Sequence, residues 1–431
     1  GFFNWATQPW MFQYAFIRVT GIFTADKEGE YQFGVGMVGN YKISIGDQVH
    51  EGFIPMHSDD LGEFILNPPF RAFGHTLKKG EEVLIQWEYP QGSLPIPIAS
   101  FYIGFREPER SREEEFVDRI KGLSYEEIAL KGGGILNSAR RLGEMSEEAL
   151  YQAALERIER MKSKGTGALE IKSGYGLSVE AELKMLRVIK RLKETAGIAI
   201  KATFLGAHAF PMEYKQDHEG YIRLLIDEML PAIAKENLAD YIDVFCERNY
   251  FSVSEMEEIL KAGIAIGLKP KVHVNQFSIL GGVQKAVELG AISVDHLEEI
   301  DENDLNALKK SATIPTLLPG CSHFLSIPFG DARRILSAGL PLALASDFNP
   351  GSSPNYHLMT ILSLACVKQK LTPEEALNAL TINAAAAMEL SESHGKIALG
   401  RRSPIMMTKE IPSLAYLAYA FGEDHIQRIF L

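Results

Sequence analysis

The strongest constraint in this sequence is an alternation that sets in after Glu107–Arg112. Apolar runs lie near Ala168–Lys172, Ala202–Leu205, Ile242–Cys246, Pro270–His273, Ile292–Asp295, Thr313–Leu318 and Leu342–Ser346, and each is followed by a helical stretch. Strands separated by helices return in the same direction. The pattern therefore predicts a parallel sheet covered by helices, most simply a closed (β/α)8 barrel. Seven runs read as strands, and an eighth must come from Ile98–Phe105 or be absent. Helix starts are marked by Ser124 with Glu127, Ser252 with Glu255, and Thr372 with Pro373 and Glu375. In each, a hydroxyl and a carboxylate can satisfy the first free N–H groups. Leu183, Leu186, Ile189 and Leu192 form a stripe at helical spacing that stops before Gly197.

Before the seam the texture is different. Phe16–Phe23, Tyr31–Val35, Tyr41–Ile45 and Val83–Tyr89 are short runs rich in β-branched and aromatic residues, with polar turns at Asp26–Gly29 and Lys78–Glu81. No amphipathic helix interrupts them. This part predicts an antiparallel β-sandwich. The fold class is thus α/β, with a β-sandwich over 1–108 and a barrel over 109–400.

With 46% hydrophobic residues the chain has ample apolar material for a core. No run of about 18 apolar residues is present, so no spanning helix is expected. GFFNWATQPW lacks a basic region before an apolar one, so no signal peptide is expected. The first residue is Gly, which suggests a fragment. A net charge of −12 disfavours nucleic acid or an anionic membrane as partner. Cys246, Cys321 and Cys366 are widely spaced, with no CxxC pair, as in a reducing, cytoplasmic compartment.

In a barrel of this kind, chemistry sits at the C-terminal ends of the strands. Four such ends carry polar residues that a plain core would not use: Gly206-Ala-His208, Lys271-Val-His273-Val-Asn-Gln276, Val294-Asp-His296, and Ser346-Asp347-Phe-Asn349 running on to Gly351 and Ser352. Histidine and aspartate suit zinc or iron. A single buried histidine is more often a hydrogen-bonded structural residue. Three of them with one aspartate, on separate strand ends, point to a metal hydrolase. A phosphate-binding isomerase stays open, with Gly132–Gly134 and Gly281-Gly282 as anion loops.

From Ser111 to about Phe421 the sequence resembles the imidazolonepropionase family of metal-dependent amidohydrolases. The matching stretches are SREEEFVDRIKGLSYEEIA, GGGILNSARR, ALEIKSGYGL, KATFLGAHAFP, YIDVFCE, KPKVHVNQ, ISVDHLE, PTLLPG, ALASDFNPGSSP and TKEIPS. The resemblance implies hydrolysis of the cyclic amide of 4-imidazolone-5-propanoate to N-formimidoyl-L-glutamate, with zinc or iron. It implies His273 and Asp347 as metal ligands, Asp347 also as proton shuttle, His296 as oxyanion stabiliser and Gln276 as a holder of substrate or water. Arg112, Tyr125, Tyr175 and His208 would contact a small-molecule substrate, and Asn349, Gly351 and Ser352 its glutamate end. An arginine suits the propanoate through charge-assisted hydrogen bonds. The resemblance also suggests a homodimer, and makes 401–431 a remnant of the family's small β-domain.

Two departures stand out. The family has an HxH pair at its first barrel strand, whereas the chain contains no HxH; counting back without gaps, the pair falls on Ile103 and Phe105. Apolar side chains cannot coordinate a cation, so metal binding is expected to be weaker. In place of the family's N-terminal β-domain, residues 16–47 resemble the protective-antigen-type β-sandwich found in family 3 β-glucosidases. Some such modules bind sugars through calcium, but Met37–Asn40 lacks the adjacent aspartates this needs. Trp5, Trp10 and Trp87 could form a sugar platform or sandwich core. The chain therefore reads as a chimera. Its alternative reading is a catalytically silent barrel joined to a carbohydrate-binding module.

Overall fold

The computed structural model describes residues 17–25, 29–36, 39–54, 70–89, 102–106, 116–117, 120–122, 135–401 and 404–430. The chain divides into two compact units between Glu115 and Phe116. Of the sequence-predicted residues, Trp5, Trp10, Arg112, Tyr125, Gly132–Gly134 and the Ser124 helix start lie outside the described residues.

Among the described residues of the first unit every strand pair is antiparallel. β1 (Ile17–Thr24), β6 (Glu82–Tyr89), β3 (Gly39–Ile45) and β4 (Gln48–Ile54) form one sheet in that order; β5 (Phe70–Leu77), β2 (Gly29–Gly36) and β7 (Tyr102–Arg106) form the other. Alternation builds the core, because successive residues of a strand face opposite sides. Tyr31 and Phe33 of β2 are buried with Tyr41, Ile43 and Ile45 of β3, and with Leu77 and Val83. The Phe23 ring meets Tyr31 and Phe33 edge-on, with centroids 5.3 and 5.2 Å apart. β7 pairs with β2, Ile103 opposite Val35 and Phe105 opposite Phe33. The strand that sequence left open between the two units is therefore a sandwich strand, and it does not complete the barrel.

The second unit is built on a parallel sheet of β8 (Ala168–Lys172), β9 (Ala199–Ala207), β10 (Tyr241–Cys246), β11 (Lys269–Val274), β12 (Ser293–His296), β13 (Ile314–Leu317) and β14 (Ala343–Leu344), in sequence order. Each expected strand is present. Among the described residues β8 and β14 have no strand beyond them, as expected for a barrel without its first strand. The outward residues of these strands, such as Val244, Val272, Val274 and Val294, pack against helices in one continuous core. The Leu183/Leu186/Ile189/Leu192 stripe is buried on the helix Val179–Thr195, which Ser178 caps by accepting from the N–H of Ala181. Reciprocal capping boxes start helices at Ser252 and at Thr372, and a third at Asp301. No helix among the described residues is long and apolar enough to cross a membrane. Near the C-terminus β15 (Ile405–Thr408) pairs antiparallel with β16 (Ile426–Phe430). Residues 401–431, which the resemblance assigns to the family's small β-domain, thus contain two strands that pair with each other.

Candidate active site

Strand register places the polar residues. Phe245, His273, Asp295 and Thr316 stand abreast on β10 to β13, and Asp243 pairs with Lys271 one inward step earlier. Two residues is the repeat of a strand face, so Asp243 and Phe245 point the same way, as do Lys271 and His273. The barrel interior consequently holds a network of charges. Lys172 Nζ lies 2.8 Å from Asp243, 2.5 Å from Glu170 and 3.6 Å from Asp295. Lys271 pairs with the other oxygen of Glu170 and donates to the carbonyl of Ala387 at 3.1 Å. Thr203 donates to Glu170 at 2.6 Å. Burial would raise the Asp243 carboxyl, but His273 and Lys172 beside it hold it far below the usual range. Burial likewise opposes the charge on Lys172, and Asp243, Glu170 and Asp295 outweigh it.

His273 Nδ1 sits 2.9 Å from Asp243 Oδ2, yet out of line for a hydrogen bond, and its backbone N–H donates to the same carboxylate at 3.1 Å. The His296 ring centre is 5.4 Å from that of His273. His296 follows Asp295, so strand alternation alone would send it to the opposite face. The backbone breaks the alternation here, with φ of 88° at His296 and 56° at Leu297. Asn275 (57°) and Asp347 (49°), also just past strand ends, share this left-handed conformation. Such strain outside glycine gathers at functional sites.

The remaining residues group around this pair. Burial alone would lower His296, but Glu298 and Cys321 beside it carry its pKa well above the ordinary value. Burial raises the Asp347 carboxyl, and the neighbouring His296 and His273 only partly offset this. Gln276 donates to Cys321 Sγ at 3.4 Å. The Asn349 side chain organises the loop after β14. Its oxygen accepts from the N–H groups of Gly351 and Ser352, both at 2.8 Å, and its amide donates to the Asp347 carbonyl at 2.7 Å. Ser352 Oγ reaches Asp347 Oδ2 at 3.5 Å. On the other side, Tyr175 packs edge-on to His208 with centroids 5.2 Å apart, and His208 contacts Phe245. His208 donates from Nδ1 to the Gly174 carbonyl at 3.1 Å. Burial, with His273 next, pushes its pKa down to about 4, so its other nitrogen is an acceptor at neutral pH.

Sequence reasoning missed the supports of this site. Glu182 is fully buried, and its carboxylate accepts from the N–H groups of Gly174 (2.9 Å), Gly176 (2.6 Å) and Leu177 (3.1 Å). It clasps the loop that carries Tyr175. Gly174 is required there, with φ of 100° and a Cβ position only 2.6 Å from the Leu205 carbonyl. Glu170, Lys172 and Asp243 have no role in the sequence reading, and Lys271 and Asp295 enter it only as parts of strand ends, although charged residues alternating within apolar strands are a readable signal. Glu298 and Cys321 gave none.

Among the described residues two buried groups offer donors for a cation, Asp243/His273/Asp295 and His296/Glu298/Cys321. The zinc-or-iron centre implied by resemblance finds only His273 and Asp347 of its donors. The HxH pair is absent from the chain, and its counterpart residues Ile103 and Phe105 belong to β7 of the first unit. Beside His273, the Lys172 ammonium already neutralises the carboxylates. The residues present do not fit that four-ligand centre.

No family profile matches the chain. Similar solved structures include the guanine deaminases of E. coli (TM-score 0.54, 11% identity, 69% of this chain and 76% of that one) and of C. acetobutylicum (0.53, 13%, 68% and 76%). An adenosine deaminase from Xanthomonas campestris with bound zinc has a TM-score of 0.50 at 14% identity, over 67% of this chain and 69% of that one. These likenesses concern the fold. Relatives in sequence are much nearer. The imidazolonepropionase of Flavobacterium johnsoniae is 57% identical over 321 residues, 74% of this chain and 78% of its own length. Those of Christiangramia forsetii and Caldanaerobacter subterraneus are 56% and 42% identical, over 74% of this chain and 78% and 77% of their lengths. At that identity and coverage the chain belongs to the imidazolonepropionase family, and its barrel is that of a hydrolase acting on C–N bonds.

Proposed function

We propose that the chain hydrolyses the cyclic amide of 4-imidazolone-5-propanoate to N-formimidoyl-L-glutamate. The observation that carries this reading is the convergence of His273, His296 and Asp347 from three strand ends, with His296 held protonated and the half-buried Asp347 beside it. Asp347 takes a proton from water as the water oxygen attacks the ring carbonyl. His296 stabilises the negative charge that develops on the carbonyl oxygen. The C–N bond then breaks, and Asp347 returns the proton to the leaving nitrogen. Gln276 orients water or substrate. Tyr175 and His208 form one wall and the Asn349–Ser352 loop takes the glutamate end; the family resemblance also assigns substrate contacts to Arg112 and Tyr125, which lie outside the described residues. Zinc and iron are the ions that family resemblance suggests, but with half of the donor set missing no step in this scheme passes through a metal.

A cytoplasmic location and a homodimer belong to the same proposal. A second reading has a silent barrel and a protective-antigen-like, sugar-binding first unit. It is favoured by one fact, the apolar Ile103 and Phe105 in place of HxH. A glycan array with the full chain tests it; no binding at millimolar sugar removes it.

The deciding experiment follows the loss of ultraviolet absorbance of 4-imidazolone-5-propanoate with the full chain, with chelator and with added zinc or iron. Turnover that survives chelator is expected. Turnover that needs metal would overturn the metal-free route, and none under any condition would overturn the activity.

A further inference from the structure

A cluster of donor atoms lies at the mouth of β12 and β13. His296, Glu298 and Cys321 each present one donor atom there, all within 4.8 Å of one another, and all three residues are buried. His296 is 4% exposed and Glu298 7%. His296 Nδ1 and Glu298 Oε2 lie 3.4 Å apart, out of line for a hydrogen bond, and neither has a hydrogen-bond partner. The two atoms form an ion pair without an aligned hydrogen bond, a costly arrangement at this depth, and a cation seated between them would bond to both. The other three-donor group, Asp243/His273/Asp295, differs decisively. Lys172 already stands among its carboxylates as a built-in cation.

We propose that His296, Glu298 and Cys321 form a thiolate-containing site for a borderline-soft divalent cation of the zinc class. Tetrahedral bonds of about 2.0–2.3 Å require donor separations of roughly 3.3–3.8 Å. The His296–Glu298 pair already meets this, and the remaining spread closes with a small movement of Cys321. The cation takes the place of the proton that His296 carries when the site is empty, and one imidazole, one carboxylate and one thiolate then together balance a double positive charge. The sulfur selects zinc, cobalt or cadmium over magnesium and calcium, which prefer oxygen. Neighbours hold the donors in place. Ser322 Oγ donates to Glu298 Oε1 at 2.8 Å, leaving Oε2 to the cation, and Gln276 donates to Cys321 Sγ at 3.4 Å. Hydrogen bonds of this kind orient ligands and contribute strongly to affinity. The site uses neither His273 nor Asp347.

The test is titration of the metal-free full chain with Co2+, read by the thiolate-to-cobalt charge-transfer band, and with Zn2+, read by melting temperature. The expected result is one equivalent of cobalt with a thiolate band that persists in His273→Ala and Cys246→Ser and vanishes in Cys321→Ser. Ser322→Ala should weaken binding by about tenfold. Zinc should raise the melting temperature of the wild type but not of Glu298→Gln, a near-isosteric change that keeps the test open should Cys321→Ser fail to fold. No thiolate band in the wild type, a band that survives Cys321→Ser, or an equal zinc response in Glu298→Gln would overturn the proposal. The readout is the cation's own spectrum, so it is independent of turnover.

Discussion

Lys172 carries its ammonium between three carboxylates, and one of them, on Asp243, is wholly buried. Removing the partner of a buried charge leaves that charge uncompensated. Lys172→Met should therefore cost about 3–5 kcal/mol, measured as a lower urea midpoint with an unchanged slope. Asp347 behaves oppositely. Its folded-state pKa is raised, so the protonated form is favoured by folding and its contribution to stability fades as pH rises through that value. At neutral pH, Asp347→Asn should leave the melting temperature unchanged or higher while lowering kcat by about 10²–10⁴-fold. Equal turnover in that variant would remove Asp347 from the chemistry. The pH profile follows from Asp347 and His296 together. Activity should fall on the acid side, at higher pH than for an ordinary carboxylate, as Asp347 gains its proton. On the alkaline side it should fall above the ordinary histidine range, as His296 loses its own. A flat profile between these limbs is expected in kcat.

At the level of elements, the site depends on short loops held by single side chains. Glu182 satisfies three N–H groups of the Gly174–Leu177 loop from the first turn of its helix. Glu182→Ala would strand buried donors at about 1–3 kcal/mol each, so a loss of several kcal/mol in thermal or urea unfolding is expected. A loss under about 1 kcal/mol would show that water replaces the carboxylate. How well elements could be read follows the same physics. The Ser252 and Thr372 helix starts were legible because a hydroxyl is followed three residues later by glutamate. The Asp301 box uses aspartate at both positions and was passed over. β4 and β5 were also missed. QVHEGFI and FRAFGHTL place glycine, histidine and charge within the run, and each strand is held by pairing to β3 or β2.

Across the whole barrel unit, a parallel sheet of seven strands ends at β8 and β14 among the described residues. Edge strands lack one ladder of hydrogen bonds and open at lower free energy than central ones. Native-state hydrogen exchange should protect β10 and β11 most and β8 and β14 least. Equal protection at β8 and β10 would mean that a further strand closes the edge.

The sequence by itself determined the division into an antiparallel unit and a βα unit, the seven parallel strands and the absence of the HxH pair. These rest on local periodicity and on residue identity, which require no knowledge of neighbours. It also marked His208, His273, His296 and Asp347, because polar residues closing apolar strands are conspicuous. Only the tertiary structure decided that residues 102–106 pair with β2, that Lys172 stands among Asp243, Glu170 and Asp295, and that His296 turns toward His273. Register between strands far apart in the chain, and left-handed backbone at their ends, set those contacts. Neither is encoded in a run of residues read alone.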